Sequence, residues 1–320
     1  MLPNTSSMEN KLLSDPETLN KRNCPVCGIG AESASLFLDS SFDPTKLSAT
    51  SFASRKIPEF MSYRLLRCSR CRTVYAETIP EIDRLTEAYS EAGYDSAEEA
   101  ALAAVTYARV LLPAIDRLPR KEQALEIGTG TGVFLEKLLA AGFSHVTGIE
   151  PSRAAIAAAD PGMCAFIREG VFSEADYSPE SFDFICCFQT LEHVPDPRQL
   201  VDSCSRLLRP GGALALVVHD YESLVNRLLG KRSPIIDIEH LQIFCRASVI
   251  RLVETSNLRV EQVTSISNRY PLAYWFRLTP FPLRFKRPVG RLLEITGVGR
   301  ATLGVNVGNV LVVARKQEVR

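Results

Sequence analysis

The feature that most constrains this chain is the glycine-rich stretch Ala124-Leu-Glu-Ile-Gly-Thr-Gly-Thr-Gly132. An apolar run leads into the glycines, and a helix-forming run follows them. Further along, Gly148-Ile-Glu150 closes a second apolar run with a carboxylate. This pattern predicts a buried strand, a tight turn, a helix and a second strand that ends in an acid. Such a turn presents backbone N–H groups, and the acid presents hydrogen-bond acceptors, to a nucleotide-like ligand.

The glycine spacing departs from the dinucleotide-binding fingerprint Gly-x-Gly-x-x-Gly/Ala. The glycines are Gly128, Gly130 and Gly132, and Val133 stands where the third small residue should fall. An acid, Glu126, also precedes the first glycine by two positions. This variant resembles the motif of class I S-adenosylmethionine (SAM)-dependent methyltransferases, and the resemblance implies SAM as the cofactor.

Three further segments resemble that family and follow in its order. Residues 181–188 resemble its fourth strand, residues 189–197 the turn that follows, and residues 207–212 the Pro-Gly-Gly turn before its fifth strand. Four matching segments in one order are far more specific than a glycine motif alone. They imply an α/β, Rossmann-like fold in which a doubly wound sheet has seven strands and the last strand is antiparallel.

Alternating hydrophobic periodicities predict the positions of the elements. Strands are expected near 123–127, 145–150, 164–168, 182–188, 213–218, 258–266 and 306–315, and helices near 132–141, 152–159, 197–208 and 246–256. We therefore divide the chain into a flexible N-terminus (1–20), a zinc-ribbon module (21–80), a helical cap or linker (81–120), and a methyltransferase domain (121–320) with an insertion at 267–304.

The resemblance also implies the residues of the SAM site. Glu126 would anchor the amino-acid end of SAM, and Glu150 would accept hydrogen bonds from both ribose hydroxyls. Phe172 would lie on the adenine, with plain core packing as the alternative. Phe188 and Gln189 would line the methionine side. The remaining predicted cofactor contacts are Gly128, Thr129, Gly130, Gly132 and Pro151.

Methyl transfer needs a general base only when the nucleophile carries a proton that must leave. His193 follows the predicted fourth strand, His219 follows the fifth, and His240 follows Glu239. A lone histidine in a turn is more often structural. The segment 239–244 resembles one found after strand five in zinc-containing sugar C-methyltransferases, which makes His240 the leading candidate base, oriented by Glu239. Those sugar enzymes carry a large additional C-terminal domain for which this chain has no room, so a nucleotide-sugar acceptor is one option among several.

Two Cys-x-x-Cys turns lie near the N-terminus, Cys24-Pro-Val-Cys27 and Cys68-Ser-Arg-Cys71. Turns of this type direct two thiolates at one ion, and four thiolates suit a closed, structural Zn2+ site. Redox dithiol chemistry is the alternative. This cysteine usage favours a reducing compartment over a disulfide scaffold. The remaining cysteines are predicted to be small core residues, namely Cys164, Cys186, Cys187, Cys204 and Cys245.

Charge and hydropathy narrow the choice of partners. The 37 basic residues balance 37 acidic ones, so no net field draws the chain to nucleic acid. No apolar run is long enough to span a membrane and no apolar leader is evident, which predicts a cytoplasmic protein. Residues 268–300 combine aromatic side chains with seven basic residues and one acid. This segment is a candidate for a lid or dimer surface, or for peripheral contact with the inner face of a membrane.

The sequence therefore predicts methyl transfer from SAM to a small-molecule or glycan-like acceptor, with sugars and lipid-linked compounds among the candidates. Tyr89 and Tyr94 are expected to cover the acceptor pocket. Two alternatives stay open: an RNA methyltransferase, and a protein that binds SAM without turnover. The oligomeric state and the atom that is methylated are not indicated by the sequence.

Overall fold

The computed structural model describes residues 19–48, 51–53, 59–94, 96–279 and 283–317. Its strands are β1 (Leu19–Lys21), β2 (Ala34–Leu38), β3 (Leu65–Cys68), β4 (Val74–Ala76), β5 (Thr78–Pro80), β6 (Gln123–Ile127), β7 (His145–Glu150), β8 (Ile167–Glu169), β9 (Phe182–Phe188), β10 (Leu208–His219), β11 (Gln242–Ile243), β12 (Leu258–Pro271) and β13 (Thr302–Lys316). The helices are α1 (Ile82–Glu91), α2 (Ala97–Ile115), α3 (Val133–Ala140), α4 (Arg153–Ala157), α5 (Pro161–Cys164), α6 (Pro197–Leu207), α7 (Leu224–Leu229), α8 (Arg246–Glu254), α9 (Leu272–Leu278) and α10 (Leu283–Ile295).

A seven-stranded sheet with the order β12-β13-β10-β9-β6-β7-β8 forms the centre of the fold. The five strands from β10 to β8 are mutually parallel, and β13 runs antiparallel to both β10 and β12. The predicted α/β, Rossmann-like sheet of seven strands with an antiparallel last strand is confirmed. Because β6 lies beside β9 on one side and β7 on the other, the strand order reverses there, and ligands of such sheets bind outside the carboxyl ends of the strands at that point.

Apolar side chains cover both faces of this sheet. On one face Tyr107 and Leu111 of α2 join Phe134 of α3 in a buried cluster with sheet residues. On the other face Leu200 of α6 and Leu252 of α8 join the opposite side chains of the same strands. The central strands are therefore buried on both faces, which explains their almost continuous apolar sequence.

Three details differ from the sequence-based expectation. The strand predicted at 164–168 starts at Ile167, because Pro161 and the N-cap Asp160, which accepts from the Gly162 N–H at 2.8 Å, begin the short helix α5 instead. Cys164, at the end of α5, is exposed, so its prediction as a core residue is wrong. Strand pairing also extends into the predicted insertion, because β12 continues to Pro271 opposite Thr302.

The N-terminal residues form a small sheet that also includes one strand from the larger domain. Its order is β11-β4-β3-β2, so Gln242 and Ile243, more than 160 residues away in sequence, pair with β4. The side chain of Gln242 donates to the carbonyls of Leu191 and Val194, at 2.7 and 2.9 Å, in the turn that follows β9. The N-terminal module is therefore attached to the segment that carries Glu239 and His240.

Candidate active site and four-cysteine centre

The glycine turn after β6 adopts a backbone that other residues rarely accept. Gly128, Gly130 and Gly132 have φ values of 76°, 59° and 73°, all in the left-handed region that favours glycine. A Cβ on Gly128 would lie 2.2 Å from the Thr190 hydroxyl, whereas a Cβ on Gly130 would meet no atom within 4 Å. The backbone at Gly130 therefore borders open space, as close approach of a ligand requires.

Two buried acids flank this turn. Glu126, near the end of β6, is 4% exposed and accepts a hydrogen bond from the Thr129 hydroxyl. Glu150, at the end of β7, accepts from the N–H groups of Gly130 and Ser152 at 2.7 and 2.9 Å. Burial raises the pKa of Glu150, and these two hydrogen bonds oppose the rise by stabilising its charged form.

The turn and the acids line one end of a cavity of about 1180 Å³. Pockets for one drug-sized ligand occupy roughly 300–1,000 Å³, so this cavity has room for a cofactor and an acceptor together. The predicted SAM-site residues that line it are Glu126, Gly128, Thr129, Gly130, Glu150, Pro151, Phe172, Phe188 and Gln189. Gly132 is not among the lining residues; it precedes α3, where a Cβ would lie 3.1 Å from Ile167.

Among Asp, Glu, Lys and Arg, only the acidic types occur in the described cavity wall. Its lining includes five carboxylates and, among the described residues, no Lys or Arg. A phosphate group on an acceptor would therefore find no Lys or Arg in the part of the wall that the structure describes. The carboxylates are Glu126, Glu150, Glu174, Asp196 and Glu239.

The three predicted histidines meet at the other end of the cavity. The His240 ring lies 4.8 Å from the His193 ring and 5.5 Å from the His219 ring, measured between centroids. His193 and His219 come together because the parallel strands β9 and β10 end at the same edge of the sheet. His240 arrives on the segment tied to the N-terminal module through β11.

In each of these three histidines, Nδ1 lies close to a backbone carbonyl or a side-chain amide oxygen. Nδ1 of His240 lies 2.8 Å from the Ile235 carbonyl, that of His193 lies 3.0 Å from the Glu239 carbonyl, and that of His219 lies 3.0 Å from Oδ1 of Asn309. A carbonyl oxygen can only accept, so in a neutral ring Nδ1 carries the proton and Nε2 is the basic nitrogen. The backbone carbonyls thus give His193 and His240 the tautomer that a base acting through Nε2 needs.

Glu239 does not orient His240 as the sequence led us to expect. Its carboxylate oxygen lies 3.8 Å from Nε2 of His240, which is too long for a hydrogen bond. The orienting contact is the Ile235 carbonyl on the opposite ring nitrogen. Because Glu239 lies on the Nε2 side, its charge would instead stabilise the imidazolium that forms when Nε2 takes up a proton.

Tyr89 and Tyr94 both line the cavity, as their position before the core suggested. The Tyr89 hydroxyl donates to the Glu239 carbonyl at 2.9 Å and lies 3.2 Å from Nδ1 of His193. Burial, with a smaller contribution from the Glu239 charge, raises the pKa of Tyr89 well above its ordinary value, so its hydroxyl stays protonated. The helix α1 is thereby joined to the histidine cluster.

Sequence reasoning missed two buried asparagines in the cavity wall. Asn268 of β12 and Asn309 of β13 are each 1% exposed and line the cavity. Gln189 was predicted on the methionine side, and its amide lies 3.4 Å from Oδ1 of Asn309. The available signal was an amide within a strand at a buried position, a place usually taken by an apolar residue.

The four predicted metal-binding cysteines also come together. Their sulfur atoms all lie within 4.8 Å of one another, and three of the four side chains are buried. The nearest sulfurs, of Cys24 and Cys71, are 3.3 Å apart, which is too long for a disulfide. A closed set of four thiols with this spacing has the donor type and number of a tetrahedral Zn2+ site.

The two cysteine turns share one backbone pattern. The Gly28 N–H donates to the Cys24 carbonyl, and the Arg72 N–H donates to the Cys68 carbonyl, at 2.9 and 3.0 Å. Gly28 has a φ of 71° and Arg72 a φ of 67°, so Arg72 takes the left-handed conformation that glycine usually fills. Both turns can therefore direct their thiols at one point even though the second lacks the glycine.

A family model described as a methyltransferase domain matches residues 98–263, just over half of the chain. The ubiquinone biosynthesis O-methyltransferase of Photorhabdus laumondii is 34% identical over 112 residues, which make up 33% of this chain and 44% of that protein. The protein of the same name from Vibrio atlanticus is 25% identical over 170 residues, or 49% of this chain and 71% of that protein.

The match to the Photorhabdus relative thus spans less than half of its length. Among solved structures, a SAM-dependent methyltransferase of Methanosarcina mazei is similar, with a TM-score of 0.42 and 20% sequence identity, covering 65% of this chain and 98% of that chain. In the part of the chain that the structure describes, no helix is long and apolar enough to cross a membrane.

Proposed function

Because the chain belongs to the methyltransferase domain family, we propose that it transfers the methyl group of SAM to a hydroxyl group of an uncharged small molecule. The observation that carries this proposal is the single cavity that joins the glycine turn and its two acids to the histidine cluster. Its described wall contains no Lys or Arg, which disfavours phosphorylated acceptors such as nucleotide-sugars and RNA. The relatives named O-methyltransferases support oxygen as the methylated atom.

The residues at the glycine turn fit SAM. The uncrowded Gly130 backbone gives a ligand close access, and the Glu150 carboxylate lies at the carboxyl end of β7, where a ribose would be bound. Glu126 would hold the amino-acid end, and Phe172 borders the same end of the cavity. When bound, SAM supplies a methyl group already activated by its positive sulfur.

The acceptor needs alignment and a route for its proton. With SAM bound, an acceptor hydroxyl would take up the methyl group, and Nε2 of His240 would accept the proton that the hydroxyl loses. The Ile235 carbonyl holds the opposite nitrogen in the protonated form, which keeps Nε2 available as the base. The nearby Glu239 carboxylate then stabilises the charged ring.

Replacement of His240 tests this assignment. His240→Gln should lower turnover by roughly 10²- to 10⁴-fold, the contribution typical of a general base, while the affinity for SAM measured by calorimetry stays unchanged. The matched control is His145→Gln. Of the four histidines of the chain, His145 is the one outside the cluster, and it is exposed at the start of β7. Full turnover by His240→Gln would remove His240 as the base, whereas loss of SAM binding would show that the substitution damages the fold.

We also propose that the four-cysteine centre binds one structural Zn2+. The support is the clustering of four thiols, with no cavity-lining residue among them. Four thiolates leave the ion no open position for chemistry, so its role would be to fix the module that carries β4 and, through it, β11. Metal analysis of the purified chain tests this: one zinc per chain is expected, and a metal-free, fully folded protein would refute it.

Contact with a membrane remains a proposal, and the surface that supports it is the helix α10. Leu292 and Ile295 of α10 are 60% and 74% exposed, and Arg287 and Arg291 lie exposed on the same helix. Exposed apolar and basic side chains on one helix are typical of a segment that binds anionic headgroups. We expect flotation with anionic but not with neutral vesicles, and no flotation with either would refute the proposal.

A further inference from the structure

One wall of the cavity is formed by the part of β12 and β13 that extends beyond β10. β13 pairs with β10 only from Arg315 to Asn309, but its pairing with β12 continues to Thr302, opposite Pro271. The two strands therefore project as a ribbon beyond the carboxyl end of β10, beside the cavity. The ribbon residues that line the cavity are Asn268, Tyr270, Val305 and Val307.

Asn268 is buried on this ribbon with half of its amide unused. Its Nδ2 atom donates to the Tyr270 hydroxyl at 3.0 Å, and its Oδ1 atom has no hydrogen-bond partner among the described residues. Turning the amide over would let Tyr270 donate to Oδ1 and would leave Nδ2 in the same unused position. In either orientation a buried amide atom lacks a partner, which is unfavourable unless a ligand supplies one.

The Tyr270 ring that contacts this amide is packed against two further aromatic rings. The Tyr270 ring centroid lies 4.7 Å from that of Tyr274 and 5.1 Å from that of Trp275, and both α9 rings line the cavity. The Trp275 indole N–H donates to the Leu303 carbonyl at 2.8 Å, so the polar edge of that ring is already satisfied. All three rings border the cavity, so a ligand bound there would contact aromatic surface.

We propose that Asn268 and these three rings form an acceptor-specificity pocket for a neutral aromatic hydroxyl compound. The ligand's hydroxyl would bond to the unused Asn268 amide atom, and its ring would pack against Tyr270, Tyr274 and Trp275. A hydroxyl is both donor and acceptor, so it satisfies the amide in either orientation. This inference rests on the proposed function, because it specifies the acceptor class of that same cavity.

The pocket can be tested without knowledge of the natural acceptor. Trp275 is the only tryptophan of the chain and lies in the proposed pocket, so its fluorescence reports directly on occupancy. The probes are 4-propylphenol and propylbenzene, which differ only by the hydroxyl. Both are titrated into the wild type, into Asn268→Leu, which removes the amide but keeps similar volume, and into Asn268→Ser, which keeps a smaller polar group.

We expect 4-propylphenol to bind the wild type more tightly than propylbenzene does. Asn268→Leu should weaken 4-propylphenol binding by about 5- to 150-fold, the range for an unmet buried hydrogen-bonding group, and should leave propylbenzene binding nearly unchanged. Asn268→Ser should retain part of the preference. Gln262→Leu, on the same strand but outside the cavity, is the control and should behave as the wild type.

Two results would overturn the proposal. One is equal loss of both probes in Asn268→Leu, which would indicate a structural role for the side chain. The other is the absence of any response of Trp275 to either probe in the wild type. Calorimetric titration of SAM into the same samples distinguishes failure of the pocket proposal from failure of the proposed function. Intact SAM binding without a pocket response refutes the pocket alone. Absent SAM binding refutes the proposed function itself.

Discussion

Glu192 is a fully buried carboxyl group, and its replacement should change how stability depends on pH. It is 0% exposed, one oxygen accepts from the His219 N–H at 2.6 Å, and the other, Oε2, has no partner among the described residues. Burial raises the pKa of Glu192 from 4.5 to about 7, although the hydrogen bond from His219 opposes this. The folded chain therefore holds this proton more tightly than the unfolded chain does.

The sign and size of the effect follow from that difference. Stability from the protonated group is fully present below about pH 4.5 and is lost as the pH rises through about 7. A pKa difference of about 2.5 (7 minus 4.5) corresponds to about 3.5 kcal/mol over the full pH range, at about 1.4 kcal/mol for each tenfold change in proton affinity. Glu192→Gln keeps the shape and a hydrogen-bond acceptor for His219 but does not titrate. It should therefore be about 2.5 kcal/mol more stable, relative to the wild type, at pH 8 than at pH 5, because part of the effect is already lost at pH 5.

Urea unfolding at several pH values measures this directly, provided that the m-value stays the same in both proteins. Subtracting the wild-type curve cancels the titration of every other group. Glu254→Gln, which removes an exposed carboxylate on α8, is the matched control for the loss of one carboxylate. A flat difference for Glu192→Gln would refute the reasoning, since it would mean that Glu192 titrates alike in the folded and unfolded chains.

Two further predictions concern the two ligand-binding centres. Glu150→Gln should weaken SAM binding by about 10- to 150-fold in calorimetry, because charged hydrogen bonds to the ribose are lost. Since burial raises the pKa of Glu150, wild-type affinity should also fall as the pH drops through that pKa, and an unchanged affinity in the variant would contradict the assignment. Cys71→Ser should lower the zinc content and the thermal midpoint of the chain. Cys164→Ser, at an exposed cysteine outside the cluster, should change neither. Equal zinc content in both variants would contradict the metal site.

The central sheet could be predicted from sequence because its signals are local. The apolar run ending at Ile127, the three glycines and the acid at Glu150 each carry their conformation within a few residues. The approach of His193 to His219 was also predictable in principle, because parallel strands end at one edge of a sheet. The strand near 164–168 was misplaced because the Asp160-Pro161 helix start outweighed the apolar pattern.

The acceptor end of the cavity depends on contacts that no local pattern specifies. The two-residue strand β11 exists because β4 offers a pairing edge, and this pairing fixes the segment that carries His240. Similarly, Asn268 becomes a cavity residue because β12 and β13 stay paired beyond β10. The composition of the described cavity wall, with five carboxylates and no Lys or Arg, emerges only when distant segments come together.

The most direct test of the proposed function uses SAM labelled on the transferred methyl group. The chain is incubated with separated cell fractions: neutral organic-soluble compounds, anionic nucleotide-sugars, and total RNA. The proposed function predicts label in the neutral fraction, lost in His240→Gln and retained in His145→Gln. Label in RNA or in the nucleotide-sugars would contradict it, because the described cavity wall holds no Lys or Arg to bind their phosphates.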